Sequence, residues 1–164
     1  MRPVNFRFDH RMGPILGHIS EVGLNSLLLP TPRRRRDYAL EASRDRALAR
    51  VLSDAFVRYF AGKPEDFADV PLDFSKATPF QRQVWLTARE IPWGQTCAYG
   101  DLAERMGRSR AAARAVGQAL GANPVPIVVP CHRILAAGGG LGGFGAGLEW
   151  KRELLRVEGA GLVR

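Results

Sequence analysis

The segment that most restricts the fold is Asn123–Leu135, NPVPIVVPCHRIL, in which three prolines interrupt an apolar run. Proline fixes φ and lacks a backbone N–H, so this segment cannot continue a helix. The apolar IVV predicts a short buried strand that ends at Pro130. Cys131 and His132 follow at once. A cysteine in such surroundings is most often an inert buried thiol, and the rest of the chain must decide between an inert and a reactive one.

The chain is strongly basic. Its 164 residues carry 24 Lys+Arg against 16 Asp+Glu, a net charge of +8, and most of the excess lies after Thr78. Such a charge favours a partner that is a polyanion, with nucleic acid the commonest case. A basic protein that is merely soluble is the alternative.

The two cysteines and the hydropathy of the chain favour a reducing compartment. Cys97 and Cys131 form neither a CxxC motif nor a disulfide framework, which is typical of a reducing environment. No apolar run approaches a membrane span, and the first ten residues do not resemble a signal peptide. We therefore expect a cytoplasmic protein, associated with the nucleoid when it is bound to DNA.

Residues 1–77 predict a small supporting α/β domain with a linker. Residues 3–30 alternate as a β-hairpin pattern, VNFRF, GPILGHI and LNSLLL. An amphipathic helix follows around Ala47–Phe56, and Val70–Phe74 predicts a further strand. The run Arg33–Arg36 is interpreted as a solvated loop, with a phosphate contact as the alternative.

Residues 78–164 predict a mainly helical domain, so the fold class expected is α/β in the α+β arrangement. Thr78, Pro79 and Gln81 form a helix start with a capping box, and Pro92 ends that helix. A final helix is predicted from Leu148 to Val157, after which Glu158 could turn inward.

Two short helical patterns between these helices indicate a helix-turn-helix. Tyr99–Met106 predicts the first helix, and the second runs from Ser109 as N-cap to Leu120, before Gly121. Arg110 and Arg114 share one face of the second helix among alanines. Small side chains would let this helix approach the minor groove of DNA while an arginine enters the base stack. An ordinary packed helical hairpin is the alternative.

The chemistry of Cys131 and His132 has three candidate forms. Adjacent side chains diverge, which disfavours a direct thiol–imidazole pair of the hydrolase kind. The spacing of Cys97, Cys131 and His132 does not fit a zinc site, and we expect no metal. The third form is a thiol activated through a water held by His132, with Glu158 as a candidate carboxylate behind the imidazole.

NPVPIVVPCHRIL, with AYGDLAERMG and ARAVGQALGANP before it and GFGAGL after it, closely resembles the O6-alkylguanine-DNA alkyltransferases over about Thr78–Gly159. The resemblance implies direct-reversal DNA repair, in which a minor-groove-bound helix-turn-helix flips the damaged base. The alkyl group of O6-alkylguanine in double-stranded DNA would pass once, irreversibly, to Cys131, without a cofactor. It implies a monomer, and leaves open O4-alkylthymine as a second substrate and cooperative binding along DNA.

The same resemblance implies roles for single residues. Cys131 is the alkyl acceptor, His132 the water-mediated base and Glu158 the residue that orients it. Tyr99 rotates the nucleotide and assists protonation of the guanine, and Asn123 is a hinge between the helix-turn-helix and the active site. The implied DNA contacts are Arg114, which fills the gap left by the flipped base, with Tyr99, Ser109, Arg110, Ala111, Ala113 and Arg133. The implied substrate pocket consists of Pro126, Ile134, Phe144, Gly145, Ala146 and Gly147.

The sequence departs from the family pattern at three positions near the pocket. Ala98 replaces a small hydroxyl residue of some relatives, Phe144 a common tyrosine, and Ala146 a frequent glycine. These changes concern the range of alkyl adducts. Two other functions remain open from the sequence, a sensor that binds alkylated DNA without repairing it and a plain helix-turn-helix DNA binder with a structural cysteine.

Overall fold

The computed structural model describes residues 4–32, 38–43 and 45–161, so the run Arg33–Arg36 lies outside the described residues. The first half contains the strands β1 (Phe6–His10), β2 (Gly13–Ile19) and β3 (Leu24–Leu28), then helix α1 (Arg46–Phe60). The second half contains α2 (Pro79–Ala88), β4 (Cys97–Ala98), α3 (Tyr99–Arg105), α4 (Ala113–Gly121), β5 (Ile134–Leu135) and α5 (Leu148–Val157). Short 3-10 turns lie at Arg110–Ala112, Cys131–Arg133 and Ala137–Gly139. The predicted α+β class is confirmed.

The N-terminal sheet is an antiparallel meander in the order β1-β2-β3. Alternate apolar side chains of these strands face α1, where Phe56 lies 6.0 Å from Phe6 and 5.3 Å from Phe8 between ring centroids. Asp45 caps α1 by accepting a hydrogen bond from the Leu48 amide. The strand predicted at Val70–Phe74 is wrong: this segment makes a single bridge, between Leu72 and Leu24.

Helix α2 supports the helix-turn-helix. The predicted capping box is present, since Thr78 accepts from the Gln81 amide and the Gln81 side chain accepts from the Thr78 amide. The Trp85 indole N–H donates to the carbonyl of Ala119 at 2.8 Å, which fixes α4 against α2. The second helix of the motif differs from the prediction, because it begins as a 3-10 turn capped by Ser109 and includes Gly121.

The predicted buried strand IVV is also wrong, although its burial is confirmed. Ile127 has φ of 77° and lies with Val128 in a turn between Pro126 and Val129. Positive φ is uncommon for a β-branched residue, and here both turn residues are almost fully buried, so packing outweighs the local preference. The strand of this region is β5, which begins after the cysteine.

The two halves pack against each other. The larger hydrophobic cluster contains buried side chains from both, including Phe56 and Leu24 of the first half and Trp150 and Leu154 of α5. The indole N–H of Trp150 donates to the carbonyl of Pro30 at 2.8 Å. The domain boundary at Thr78 stays a prediction. In the described ranges, no helix has the length and apolar character needed to cross a bilayer.

Candidate functional site

A parallel strand pair brings the two ends of the site together. Cys97 and Ala98 of β4 pair with Ile134 and Leu135 of β5. Tyr99 follows β4 directly and the Cys131–Arg133 turn precedes β5. These are opposite ends of a parallel pair, but each strand is only two residues long, so two segments more than 30 residues apart in sequence lie close enough for Cys131 to act on Tyr99.

Tyr99 lies between α4 and the glycine-rich segment, Gly138–Gly147. A Cβ at Gly117 would be 3.6 Å from its ring, and a Cβ at Gly142, where φ is 67°, would be 3.0 Å from its hydroxyl oxygen. Burial and the neighbouring Cys131 raise the pKa of the Tyr99 hydroxyl. Tyr99 is therefore a neutral phenol, able to donate a proton or a hydrogen bond.

Asn123 connects the end of α4 to the cysteine. Its Oδ1 accepts from the Val125 amide at 3.0 Å, and its Nδ2 donates to the Val129 carbonyl at 3.0 Å and to Sγ of Cys131 at 3.2 Å. The first two bonds close the buried turn. The third aims a donor at the sulfur, which favours a thiolate.

The partly exposed Cys131 thiol is neutral at rest. Burial raises its pKa, and the Asn123 hydrogen bond and the charge of Lys151 oppose that effect. The thiolate is the nucleophilic form, so a proton acceptor is needed when the thiol reacts.

Behind the thiol lies a buried network centred on Glu158. Its Oε1 accepts from His132 Nε2 at 2.6 Å, from the Tyr59 hydroxyl at 2.7 Å and from Arg133 at 2.9 Å. Its Oε2 accepts from Arg133 Nε at 2.9 Å. The prediction that Glu158 could turn inward is confirmed, because its side chain is fully buried.

These contacts fix the protonation of the pair. Burial alone would raise the pKa of Glu158, but His132 and Arg133 outweigh it and lower the pKa to about 2. Burial lowers the pKa of His132, against the opposing effect of Glu158. The imidazole is therefore neutral, and since Nε2 must donate to an ionised carboxylate, the lone pair lies on Nδ1. Within the described ranges, Nδ1 is the only buried side-chain nitrogen or oxygen without a hydrogen-bond partner.

Arg133 does not lie where the sequence placed it. We expected a DNA contact, but its side chain is buried against Glu158 and also donates to the Ile91 carbonyl at 2.6 Å. Its charge holds the carboxylate ionised. The adjacency of Arg133 to the Cys-His pair indicated a functional residue but not which partner it has.

Two further residues of the site escaped the sequence analysis. Tyr59 comes from α1, 73 residues before His132. Lys151 is fully buried, and its amine donates to the carbonyls of Ile134 at 2.7 Å and Gly143 at 3.3 Å. Burial lowers the pKa of Lys151 to about 8, opposed by Cys131. In the sequence, the position of Lys151 on the apolar face of α5 is the feature that could have indicated a buried lysine.

The helix-turn-helix presents an exposed basic surface. Ser109, Arg110, Ala111 and Arg114 are exposed, and Ala113 is partly buried. Arg110 is paired with Asp101 and Glu104. Arg114 has no ion-pair partner within the ranges that the structure describes, so its charge is available to an external anion.

The residues expected to line a substrate pocket differ in how deeply they are buried. Phe144 and Ala146 pack partly against the core, Gly145 is exposed, and Gly147, with φ of 96°, precedes α5. Pro126 is partly buried at the turn, whereas the Ile134 side chain is fully buried and offers only its backbone. No cluster of three or more metal-ligating side chains occurs in residues 4–32, 38–43 and 45–161.

Known sequences resemble this chain over its second half and beyond. A family model described as the DNA-binding domain of 6-O-methylguanine DNA methyltransferase matches residues 79–160. A methylated-DNA–protein-cysteine methyltransferase of Methanosarcina acetivorans is 37% identical over 93% of this chain and 96% of its own length. Proteins of that name from Shigella flexneri and Haemophilus influenzae are 50% and 49% identical over 66% and 63% of this chain. Those two alignments span 62% and 57% of the relatives, less than two thirds of their length.

Solved structures resemble the chain over nearly its whole length. The crystal structure of Mycobacterium tuberculosis OGT in complex with DNA matches with a TM-score of 0.79 and 37% identity, covering 93% of this chain and 90% of that one. The O6-methylguanine-DNA methyltransferase from Pyrococcus kodakaraensis matches with a TM-score of 0.70 and 27% identity, covering 98% and 100%. The family model, the full-length relative and these folds agree: the chain belongs to the methylated-DNA–protein-cysteine methyltransferase family.

Proposed function

We propose that the chain repairs DNA by transferring the alkyl group of O6-alkylguanine in duplex DNA to Cys131. The sulfur electron pair attacks the alkyl carbon, a C–S bond forms, and the electrons of the C–O6 bond remain with the guanine. The thiol proton passes through a water to His132, and the guanine takes up a proton from Tyr99. The product is a thioether, which is a poor leaving group, so each molecule acts once.

The observation that carries this proposal is the combination of Cys131 with the buried His132–Glu158 pair. The thiol is neutral at rest, so it needs a base. A neutral imidazole whose Nε2 is bound to an ionised carboxylate has its lone pair on Nδ1 and becomes stabilised as it gains a proton. Asn123 and Lys151 favour negative charge on the sulfur during the same step.

Base flipping would deliver the alkyl carbon to the sulfur. An O6-alkyl group inside a duplex is not accessible to a partly buried thiol, so the nucleotide must leave the stack. The exposed alanine-rich face around Ala111 allows close approach to the minor groove, and Arg114 would occupy the gap. Tyr99, between α4 and the glycine-rich segment, would meet the rotated nucleotide. Arg133, being buried, has no part in DNA contact.

The pocket would be bounded by Pro126 and by the segment from Phe144 to Gly147, with the backbone of Ile134 at its floor. Phe144 supplies a stacking face without a hydroxyl. Ala98 and Ala146 alter the polarity and width of the same region. These positions bear on larger O6 adducts and on O4-alkylthymine as a second substrate.

Intact mass spectrometry after incubation with a duplex containing O6-methylguanine tests the proposal. We expect the protein to gain the mass of one CH2, located on the peptide that contains Cys131. Cys131→Ser should bind the same duplex without gaining mass. Cys97→Ser is the matched control and should still accept the methyl group, because Cys97 is buried outside the network.

Three outcomes would contradict the proposal in different ways. Tight binding of damaged DNA by the unaltered chain without any mass gain would make it a lesion sensor. Equal binding of damaged and undamaged duplexes without mass gain would make it a plain DNA binder. Methyl transfer that persists in Cys131→Ser would move the acceptor elsewhere.

A further inference from the structure

The hydroxyl of Tyr59 reaches the centre of the active-site network from the other half of the chain. Helix α1 ends at the next residue, and the Tyr59 ring packs between Phe60, Phe67 and Trp93 with centroids 5.1, 5.8 and 5.0 Å away. This packing leaves the ring almost fully buried. Its hydroxyl lies 2.7 Å from Glu158 Oε1 and 3.3 Å from His132 Nε2.

The number of protons in the cluster determines the direction of each hydrogen bond. A tyrosine hydroxyl has one proton, and the ionised carboxylate can only accept, so Tyr59 donates to Glu158. Its proton is then not available to His132 Nε2. Nε2 must therefore carry its own proton, which it gives to the same oxygen. The phenol oxygen, 3.3 Å away, is a second acceptor facing this N–H.

We propose that Tyr59 is a positioning residue for alkyl transfer, which fixes the Glu158 carboxylate and thereby the orientation and tautomer of His132. The proposal rests on the function proposed above for Cys131. It assigns to the N-terminal half a defined part in the chemistry, although every group that reacts lies in the second half.

Tyr59 also moderates how strongly Glu158 stabilises a charged imidazole. The hydroxyl shares Oε1 with His132 and Arg133, so part of the carboxylate charge is directed away from the ring. Removing the hydroxyl leaves that oxygen a better acceptor for His132 and favours the imidazolium. The charged groups that act on the imidazole are Glu158, Arg133 and Lys151, and Glu153 acts on Tyr59 as well. Removing the hydroxyl takes one hydrogen bond from Glu158 and leaves the contacts of Arg133 and Lys151 unchanged.

Tyr59→Phe removes the hydroxyl and keeps the ring packing. In single-turnover transfer from an O6-methylguanine duplex, we expect the rate constant near neutral pH to fall about tenfold, as for loss of one hydrogen bond to a charged group. The rising limb of the pH–rate profile should move about one unit to higher pH, because the imidazole loses its proton later. Trp93→Phe is the control, since it alters the packing around the same ring without removing a hydrogen bond to Glu158. It should not move the limb.

Two measurements keep this proposal separate from the proposed function. If the unaltered protein transfers no methyl group, the function fails, and the His132 ring is then titrated by proton–nitrogen NMR correlation in both proteins. In that experiment Tyr59→Phe should raise the midpoint of His132 by about one unit. A variant with the rate, pH profile and His132 midpoint of the unaltered protein would overturn the role of Tyr59. So would a slower variant whose profile and midpoint match those of Trp93→Phe.

Discussion

Replacing Glu158 by glutamine removes the charge on which the buried network depends. The carboxylate accepts four hydrogen bonds, from Tyr59, His132 and, twice, Arg133. The amide oxygen of glutamine can still accept from His132 and Tyr59. Its NH2 group would then face Arg133 Nε, donor against donor, and the buried guanidinium would lose its counter-charge.

The expected loss of stability follows from the pKa of Glu158. The folded value is about 2, against 4.5 for the unperturbed group. At neutral pH this difference corresponds to about 3 kcal/mol of the free energy of unfolding. Removing one partner of a buried ion pair typically costs about 3–5 kcal/mol, which agrees. We therefore expect Glu158→Gln to unfold about 3 kcal/mol more easily at neutral pH.

The same difference in pKa determines how the free energy of unfolding depends on pH. A carboxyl whose pKa is depressed by folding stabilises the folded state above its unfolded pKa of 4.5, and this contribution is lost as the pH falls toward 2. At about pH 3.5, roughly 1 kcal/mol of it should be gone. Glutamine does not titrate, so the difference in free energy of unfolding between the unaltered protein and Glu158→Gln should narrow by that amount.

Urea unfolding followed by tryptophan fluorescence, at neutral pH and at about pH 3.5, measures this gap. Glu90→Gln is the control, because Glu90 is exposed and should change stability by no more than about 0.5 kcal/mol. A loss below about 1 kcal/mol at neutral pH, or a gap that stays the same at both pH values, would refute the account of Glu158 as a buried ionised acceptor.

Two further substitutions test the DNA surface and the support of the motif. In single-turnover kinetics, Arg114→Ala should slow methyl transfer from duplex DNA far more than reaction with free O6-benzylguanine. Arg50→Ala, which removes an exposed arginine of α1, is the control and should slow neither reaction. Equal losses on both substrates would contradict the intercalating role of Arg114. Thr78→Ala should lower the free energy of unfolding by about 1 kcal/mol in urea titrations through loss of the α2 cap, and a change below about 0.3 kcal/mol would show that Gln81 alone suffices.

Local rules predicted the helices well. The last helix has the predicted bounds, Leu148–Val157, and the Thr78 capping box has the predicted bonds. Both depend on residues within four positions of one another, so the local sequence contains the information. The same holds for the Ser109 cap.

The predictions fail where contacts between residues far apart in sequence determine the local conformation. Ile127 adopts a left-handed conformation because the prolines and Asn123 close a buried turn, so a continuous apolar run typical of a buried strand does not become one. Arg133 turns inward because Glu158, 25 residues later, supplies a charge. Tyr59 could not be assigned from the sequence, since its partner lies 99 residues away.

Because buried side chains of both halves share one hydrophobic cluster, we expect the chain to unfold as a single cooperative unit. Opening the boundary at Thr78 would expose Phe56 and Leu24 on one side and Trp150 and Leu154 on the other, and would leave Glu158 without one of its donors. We expect neither half to melt while the other stays native, so limited proteolysis should yield no stable fragment during unfolding. The half that contains Tyr59 should therefore have the same lifetime in the folded state as the half that contains Cys131.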